Sequence, residues 1–130
     1  MDRDNDFGDK VDQIIEKDPR YKPQSYAFVM GALDLTLRKL EKPRHISGRE
    51  LLEGIKKLAE EEFGPMAKIV FEHWGIKNTE DFGHIVFNLV EAGIMSKTEE
   101  DSIEDFKDVF DFTKEFERKY RMKVDKEKLK

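Results

Sequence analysis

The chain has 130 residues, a net charge of −5 at pH 7, 41% charged residues and no cysteine. This length suits one domain with one core, and the lack of cysteine excludes disulfide frameworks, cysteine-bound zinc or iron–sulfur sites and thiol nucleophiles. Ten phenylalanines exclude the composition of a disordered chain, so we expect a single domain over 1–130, ordered from about 7 to about 121.

Apolar residues at helical spacing predict the first two helices. The first covers Phe7 to Lys17 and ends at Asp18-Pro19, because a residue before proline disfavours the α region. The second runs from Gln24 to Lys42, where Pro43 ends it. Its apolar stripe comprises Tyr26, Val29, Met30, Leu33, Leu37 and Leu40.

A capping box predicts the start of the third helix. The Ser47 hydroxyl can accept from the amide of Glu50, while the Glu50 carboxylate reaches back to the amide of Ser47. Ile46 and Leu51 flank the box as a hydrophobic staple. Gly64-Pro65 then closes this helix and opens the next.

The fourth helix, Pro65 to Trp74, is apolar nearly all round, which predicts a central buried position for residues such as Ile69. Gly75 ends it in the left-handed conformation. Thr79 is the predicted N-cap of the fifth helix, which Gly93 ends. The predicted core face of the fifth helix comprises Phe82, Ile85, Val86, Leu89 and Val90.

The segment that follows allows two interpretations. In the first, 94–97 and 106–112 form a two-stranded hairpin with the acidic stretch as its loop. In the second, Ser102 caps a helix that carries Phe106, Val109, Phe110, Phe116 and Tyr120. We favour the hairpin, followed by a last helix over about 113–120 and a basic tail, 122–130, that frays.

The predicted fold class is therefore mainly α, a single helical domain with a hairpin near residues 94–112. The element order over about 47–112 is that of a winged helix-turn-helix, and a helical bundle with an appended hairpin is the alternative. In a winged helix the fifth helix would present Asp81, His84, Asn88 and Glu91 outward. Because two of these side chains are carboxylates and none is Lys or Arg, we expect this face not to bind duplex DNA.

Two further function classes receive little support from the sequence. His45, His73 and His84 occur in no metal-binding motif, and His73 is expected to be a buried core residue. No phosphate loop or nucleophile motif is present, so we assign no catalytic residue, no metal ligand and no cofactor. A small metal-dependent enzyme is kept as an alternative.

Charge is unevenly distributed near the C-terminus. Seven acidic residues and one lysine lie between Thr98 and Asp111, whereas 114–130 carries eight Lys/Arg and four acids. The acidic run is expected to be a solvated loop that aids solubility or, less favoured, an interface for a basic partner. The basic tail would serve a nucleic-acid binder, which is a second alternative function.

Several strings resemble a family of small, uncharacterised, conserved hypothetical proteins described from Verrucomicrobia and Planctomycetes. The resemblance spans about residues 7 to 120. Its strings include Asp18-Pro19-Arg20-Tyr21, His45-Ile46-Ser47-Gly48-Arg49-Glu50, His73-Trp74-Gly75, Thr79-Glu80-Asp81-Phe82-Gly83 and Val86-Phe87-Asn88-Leu89. The family implies no activity, cofactor or catalytic residue.

The resemblance indicates where to look for an interaction surface. Some matching residues are polar or amphipathic without an obvious packing role, while the competing hypothesis is that they pin loops by hydrogen bonds. With His84 added, the candidate surface comprises Arg20, Tyr21, His45, Trp74, Asp81 and His84.

The function we predict is a non-enzymatic protein-interaction or regulatory module that binds another protein. No apolar run reaches the ~18–20 residues of a membrane span. The acidic N-terminus lacks a signal-peptide pattern, so we expect a cytoplasmic protein that does not bind membranes. The Lys/Glu-rich surface with few amides resembles thermophile composition.

Overall fold

The structure is a computed structural model that describes residues 3–96 and 103–118. Within these residues lie five α-helices: α1 (Arg3–Lys17), α2 (Pro23–Arg38), α3 (Gly48–Phe63), α4 (Ala67–His73) and α5 (Thr79–Glu91). A 3₁₀ turn (Gly64–Met66) joins α3 to α4, a second covers Ile103–Phe106, and a π-helical turn covers Thr113–Arg118. The mainly α class is confirmed. The tail predicted to fray, 122–130, lies outside the described residues.

The core forms where α2 packs against α1, α3 and α5. The apolar face predicted for α5 is confirmed at Phe82, Ile85 and Leu89, which are buried, and Leu51 and Ile55 of α3 are buried as well. The predicted second helix is too long, because the helix ends at Arg38 and not at Lys42. The amides of Lys39 and Leu40 bond to carbonyls three residues back, which tightens the last turn before Pro43 is reached.

One aromatic ring, that of Phe71 on α4, lies at the centre of an aromatic cluster. Its side chain is fully buried. Ring centroids lie 5.1 to 6.5 Å from it in Phe28, Phe63, Trp74, Phe82, Phe112 and Phe116. Phe71 thus joins α2, α3, α5 and the C-terminal turn through a single side chain.

The capping box at the start of α3 is confirmed. The Glu50 amide donates to the Ser47 hydroxyl at 3.1 Å, and the Ser47 amide donates to the Glu50 carboxylate at 3.0 Å. Ile46 and Leu51, the predicted staple, are both buried. The box therefore fixes both the first turn of α3 and the direction from which the chain enters it.

We expect Ser47→Ala to lower the free energy of unfolding by about 0.5–2 kcal/mol, the usual effect of losing a serine cap. The physical reason is that the Glu50 amide loses its acceptor at a helix end. Chemical denaturation of both proteins measures this change. A midpoint that stays within error of the original would contradict the assignment of Ser47 as the cap.

The cap predicted for α5 is wrong by one residue. Asn78 is the N-cap, and its side chain forms a second capping box with Asp81. Thr79 is buried at the first helical position, and its hydroxyl accepts from the amide of Val109 at 3.2 Å. Thr79 therefore ties the segment after Phe106 to α5, a long-range contact that local cap preferences do not reveal.

The predicted central position of the fourth helix is correct for only one of its faces. Ala67 and Phe71 are fully buried, whereas Met66 and Ile69 are 52% and 54% exposed. One stripe of α4 therefore contacts the core, while its opposite side faces outward. His73, predicted to be buried, is exposed at the end of this helix.

The predicted hairpin is not supported, because 94–96 and 103–112 contain no strand, while 97–102 lie outside the described residues. Phe106 instead packs onto α3 and α5. Its ring lies 2.9 Å from the position that a Cβ on Gly48 would occupy, and it comes within 3.0 Å of one on Gly83. The segment predicted to form a wing therefore packs against α3 and α5 instead.

The alternative continuous helix over this segment is also wrong. The 3₁₀ turn ends at Phe106, and Asp108 has a φ of 51°, which a continuous right-handed helix does not contain. The last predicted helix, 113–120, is confirmed as a helical turn as far as Arg118. The described part of the acidic run is mainly solvated, since Glu104, Asp108 and Asp111 are exposed.

The face of α5 predicted to point outward is partly covered. Tyr21, in the loop between α1 and α2, donates its hydroxyl to Asp81. Asn88 donates to Asp18 of the same loop and to Tyr26. A recognition helix needs this face free for a groove of DNA, so the covering loop removes the basis of the winged-helix interpretation.

Candidate functional site

An apolar groove opens where the C-terminal ends of α2 and α5 meet the N-terminal end of α3. Its volume is about 340 Å³, at the lower end of the range for ligand-binding pockets, about 300–1,000 Å³. Its apolar lining comprises Leu33, Leu37, Ile46, Leu51, Val86, Phe87, Val90, Ile94, Met95 and Phe106. Leu37 is 40% exposed, so apolar surface of α2 continues out of the groove into solvent.

Polar residues line one side of this groove. Arg44 donates two hydrogen bonds to the Glu50 carboxylate, at 2.8 and 3.2 Å, and a third to the carbonyl of His45 at 3.0 Å. The Arg44 guanidinium, with the amide of Ser47, lowers the pKa of Glu50 to about 2. The Arg44–Glu50 pair thus stays charged through the ordinary pH range and fixes the Arg44–Ser47 segment at the mouth of the groove.

A second cluster of polar residues joins the α1–α2 loop to the start of α5. The Tyr21 hydroxyl donates to Asp81 at 2.6 Å, a short bond typical of a charged acceptor. The other Asp81 oxygen accepts from the amides of Lys77 and Asn78 at 2.7 and 3.3 Å. Burial, with the bond to Asp81, raises the pKa of Tyr21, so this phenol stays protonated and donating.

A backbone hydrogen bond connects the α1–α2 loop to the end of α4. The amide of Lys22 donates to the carbonyl of Trp74 at 3.1 Å. The Arg20 guanidinium lies 5.2 Å from the centre of the Tyr21 ring, within the range of a cation–π contact. Four of the predicted surface residues, Arg20, Tyr21, Trp74 and Asp81, are therefore brought together at one junction.

Asp18, the first residue of the loop, accepts several of its hydrogen bonds. Its carboxylate accepts two bonds from the Arg20 guanidinium, both at 2.8 Å, and one from Asn88 at 3.0 Å. Asn88 also donates to the Tyr26 hydroxyl at 3.1 Å. The bond from Arg20 above all, against the opposing effect of burial, lowers the pKa of Asp18 far below its ordinary value. Sequence reasoning did not select Asp18 or Tyr26 for this surface.

We expect the protein to lose stability as the pH falls below about 4, the ordinary range of an aspartate pKa. The pKa of Asp18 is lower in the folded state, so its stabilisation is present above that range and is lost as the carboxylate becomes protonated. Asp18→Asn should cost about 1 kcal/mol at neutral pH, because Arg20 is half exposed.

Denaturation curves between about pH 5 and about pH 2 measure this contribution. The Asp18→Asn protein should show a shallower fall in the free energy of unfolding, with a residual slope from Glu50, whose pKa is also lowered. Parallel curves for the two proteins would contradict the assignment of Asp18.

The histidines do not assemble into a site. His45 lines the groove, His73 lies at the end of α4, and His84 lies on α5 with Nε2 3.9 Å from a Glu80 carboxylate oxygen. Among residues 3–96 and 103–118, no group of three or more His, Asp and Glu side chains could hold a metal ion. Of the predicted surface, His45 thus belongs to the groove, and His84 follows Asp81 along α5.

The groove itself is not predicted as a site, because several of its lining residues, such as Leu33, Leu37, Val86 and Val90, are predicted to face the core; His45 is the one lining residue in the predicted surface. One available signal was the run of Leu33, Leu35 and Leu37 on α2, which places leucines on more than one side of a helix. Leu35 and Leu37 are indeed 39% and 40% exposed.

Comparisons of this chain with protein-family models, with curated proteins and with solved structures found no match. No helix within the described residues has the length and apolar character needed to cross a membrane. The function is therefore inferred only from the geometry of the groove and of the loop junction, where Arg20, Tyr21, Trp74 and Asp81 come together.

Proposed function

We propose that this chain is a non-enzymatic protein-interaction module and that a partner protein binds in the α2–α3–α5 groove. The observation that carries the proposal is the groove itself, about 340 Å³ in volume and lined mainly by aliphatic and aromatic side chains. Concave apolar surface of this kind is typical of a binding site, since its exposure is costly until a ligand covers it.

The chemistry of the polar lining supports binding over catalysis. Of the polar residues that line the groove, Ser47 belongs to the capping box of α3, and Arg44 forms a bidentate pair with Glu50. The polar atoms of Ser47 and Arg44 are therefore engaged within the fold. A nucleophile or general base would need a side chain free to contact the reacting atoms.

The loop junction supports a different role, that of a structural tie. Tyr21 bonds to Asp81 across 60 residues of sequence, and Asn88 bonds to Asp18 across 70. These bonds favour the hypothesis that the residues pin the loop. Of the predicted surface, His45, which is exposed and lines the groove, is the residue that lies where the proposed partner binds.

A matched pair of substitutions tests the proposal. Leu37 and Ile69 are both aliphatic, helical and about half exposed, but only Leu37 lines the groove. Tagged wild-type, Leu37→Gln and Ile69→Gln proteins are used to capture partners from the native cytoplasm, the compartment we propose, and the recovered protein is then purified and titrated. We expect Leu37→Gln to lose the purified partner and Ile69→Gln to retain it.

Equal retention by both variants, or recovery of no partner by the wild type, would contradict the proposal. A labelled duplex oligonucleotide is titrated in parallel, because nucleic-acid binding through the basic tail stays a prediction on residues outside the described ranges. Membership of the family described from Verrucomicrobia and Planctomycetes is likewise proposed, on the strings quoted above.

A further inference from the structure

The chain around the mouth of the groove is basic although the protein as a whole is acidic. Residues 38–49 contain five Lys/Arg and one glutamate, in a chain whose net charge is −5. The five are Arg38, Lys39, Lys42, Arg44 and Arg49. Leu37, Arg44 and Gly48 line the groove; Lys39 and Lys42 lie between the first two in sequence, and Arg49 directly follows the third.

These cations differ in whether a carboxylate of the protein already neutralises them. Arg38 pairs with Asp34 at 3.0 Å, and Arg44 pairs with Glu50 at 2.8 Å. Lys39, Lys42 and Arg49 are exposed, and none of them forms an ion pair with a residue that the structure describes. The rim, defined as Lys39, Lys42 and Arg49, therefore presents positive charge beside an apolar groove.

We infer, resting on the function proposed above, that the occupant of the groove is an acidic amphipathic helix of a partner protein. Its apolar side chains would enter between Leu37 and Val90, and its carboxylates would lie against the rim. A helix with apolar anchors at i, i+3 or i+4, and i+7 presents both features at once. Charge complementarity selects acidic partners and excludes basic ones.

The position of the rim favours a peptide over a small molecule. A ligand confined to the cavity would meet Arg44, His45 and Ser47, which line it. It would not reach side chains that extend into solvent outside it, such as Lys39 and Lys42. An occupant must extend beyond the groove to use these charges, and a helix about 10 Å across does so.

Synthetic peptides of about 16 residues, long enough to form a helix, are the probes for the test. All carry the same leucine stripe, and the flanking positions are Glu in one peptide, Lys in the second and Gln in the third. Affinities are measured by fluorescence anisotropy at low and at physiological salt. We expect the Glu peptide to bind about tenfold more tightly than the Lys peptide, with a smaller ratio at higher salt.

Charge-reversal variants identify the rim as the cause. Lys39→Glu, Lys42→Glu and Arg49→Glu combined should reverse the preference between the Glu and Lys peptides. The matched control combines Lys17→Glu, Lys57→Glu and Lys77→Glu, three exposed lysines outside the groove, and should leave the preference unchanged. Leu37→Gln should weaken all three peptides.

The outcomes separate this inference from the function on which it rests. Equal binding of the three peptides, lost in Leu37→Gln, would overturn the acidic partner and leave the groove as the site. No binding of any peptide would overturn both. Duplex DNA that binds the wild type, is lost on reversal of the rim and is unaffected by Leu37→Gln would show that the rim serves nucleic acid, and would also overturn the inference.

Discussion

Phe71→Ala is expected to lower the free energy of unfolding by about 3–5 kcal/mol, the range for truncation of a fully buried phenylalanine. Its side chain is completely enclosed, and its ring contacts aromatic rings from α2, α3, α5 and the C-terminal turn. Truncation removes apolar burial and leaves a cavity among several large rings that cannot all move inward.

The control for this change lies two residues earlier on the same helix. Ile69 is 54% exposed, so Ile69→Ala should change the free energy of unfolding by no more than about 0.5 kcal/mol. Urea titrations of the three proteins measure both effects. Similar losses for Phe71→Ala and Ile69→Ala would show that α4 is not held by its inner face.

Gly75→Ala is expected to cost about 3 kcal/mol or more, since two separate penalties combine at this position. Gly75 has a φ of 93°, which side chains rarely allow. A Cβ there would also lie 2.1 Å from the carbonyl oxygen of Arg20, which is a backbone atom of the α1–α2 loop. Relief of the clash would move the loop away and strain the bond from Lys22 to Trp74.

Gly93 separates the two penalties. Its φ is 77°, but a Cβ there would meet nothing within 4 Å. Gly93→Ala should therefore cost only the backbone strain, about 1–2 kcal/mol. Equal losses at the two positions, measured by thermal and chemical denaturation, would mean that the contact between Gly75 and the Arg20 carbonyl contributes nothing.

The variants at Phe71 and Gly75 test a different part of the molecule from the variants at the groove. Phe71 and Gly75 hold α4 and the α1–α2 loop, away from the groove, so their variants test the scaffold. Leu37, Lys39 and Lys42 are exposed or half exposed at the groove, so their variants should alter binding while the fold persists. Stability measured on every variant separates lost binding from lost folding.

Local features of the sequence were sufficient to predict the helices and several of their ends. The Ser47–Glu50 capping box depends on residues three apart, and Gly64, Gly75 and Gly93 all have the positive φ expected of helix-ending glycines. Such features are determined by neighbouring residues. They can therefore be predicted before any tertiary contact is known, and a tertiary contact overrides one of them, the cap predicted at Thr79.

Contacts between residues distant in sequence decided the features that were predicted wrongly or missed. Phe106 packs over Gly48 and Gly83, so the segment proposed as a wing contributes to the core instead. Thr79, with good cap propensity, is buried because the backbone at Val109 reaches it. The residues that contact Phe106 and Thr79 lie far from them in the sequence, so the neighbouring residues do not identify these contacts.

The candidate site shows the same division. The sequence by itself determined which side chains are apolar and that residues 38–49 are basic. Composition and spacing do not depend on any tertiary contact. Only the tertiary structure decided that Tyr21 and Asp81 bond across sixty residues, and that the ends of α2, α3 and α5 leave a groove. A groove is the space left between packed helices, so it depends on how their faces fit together and on no single helix.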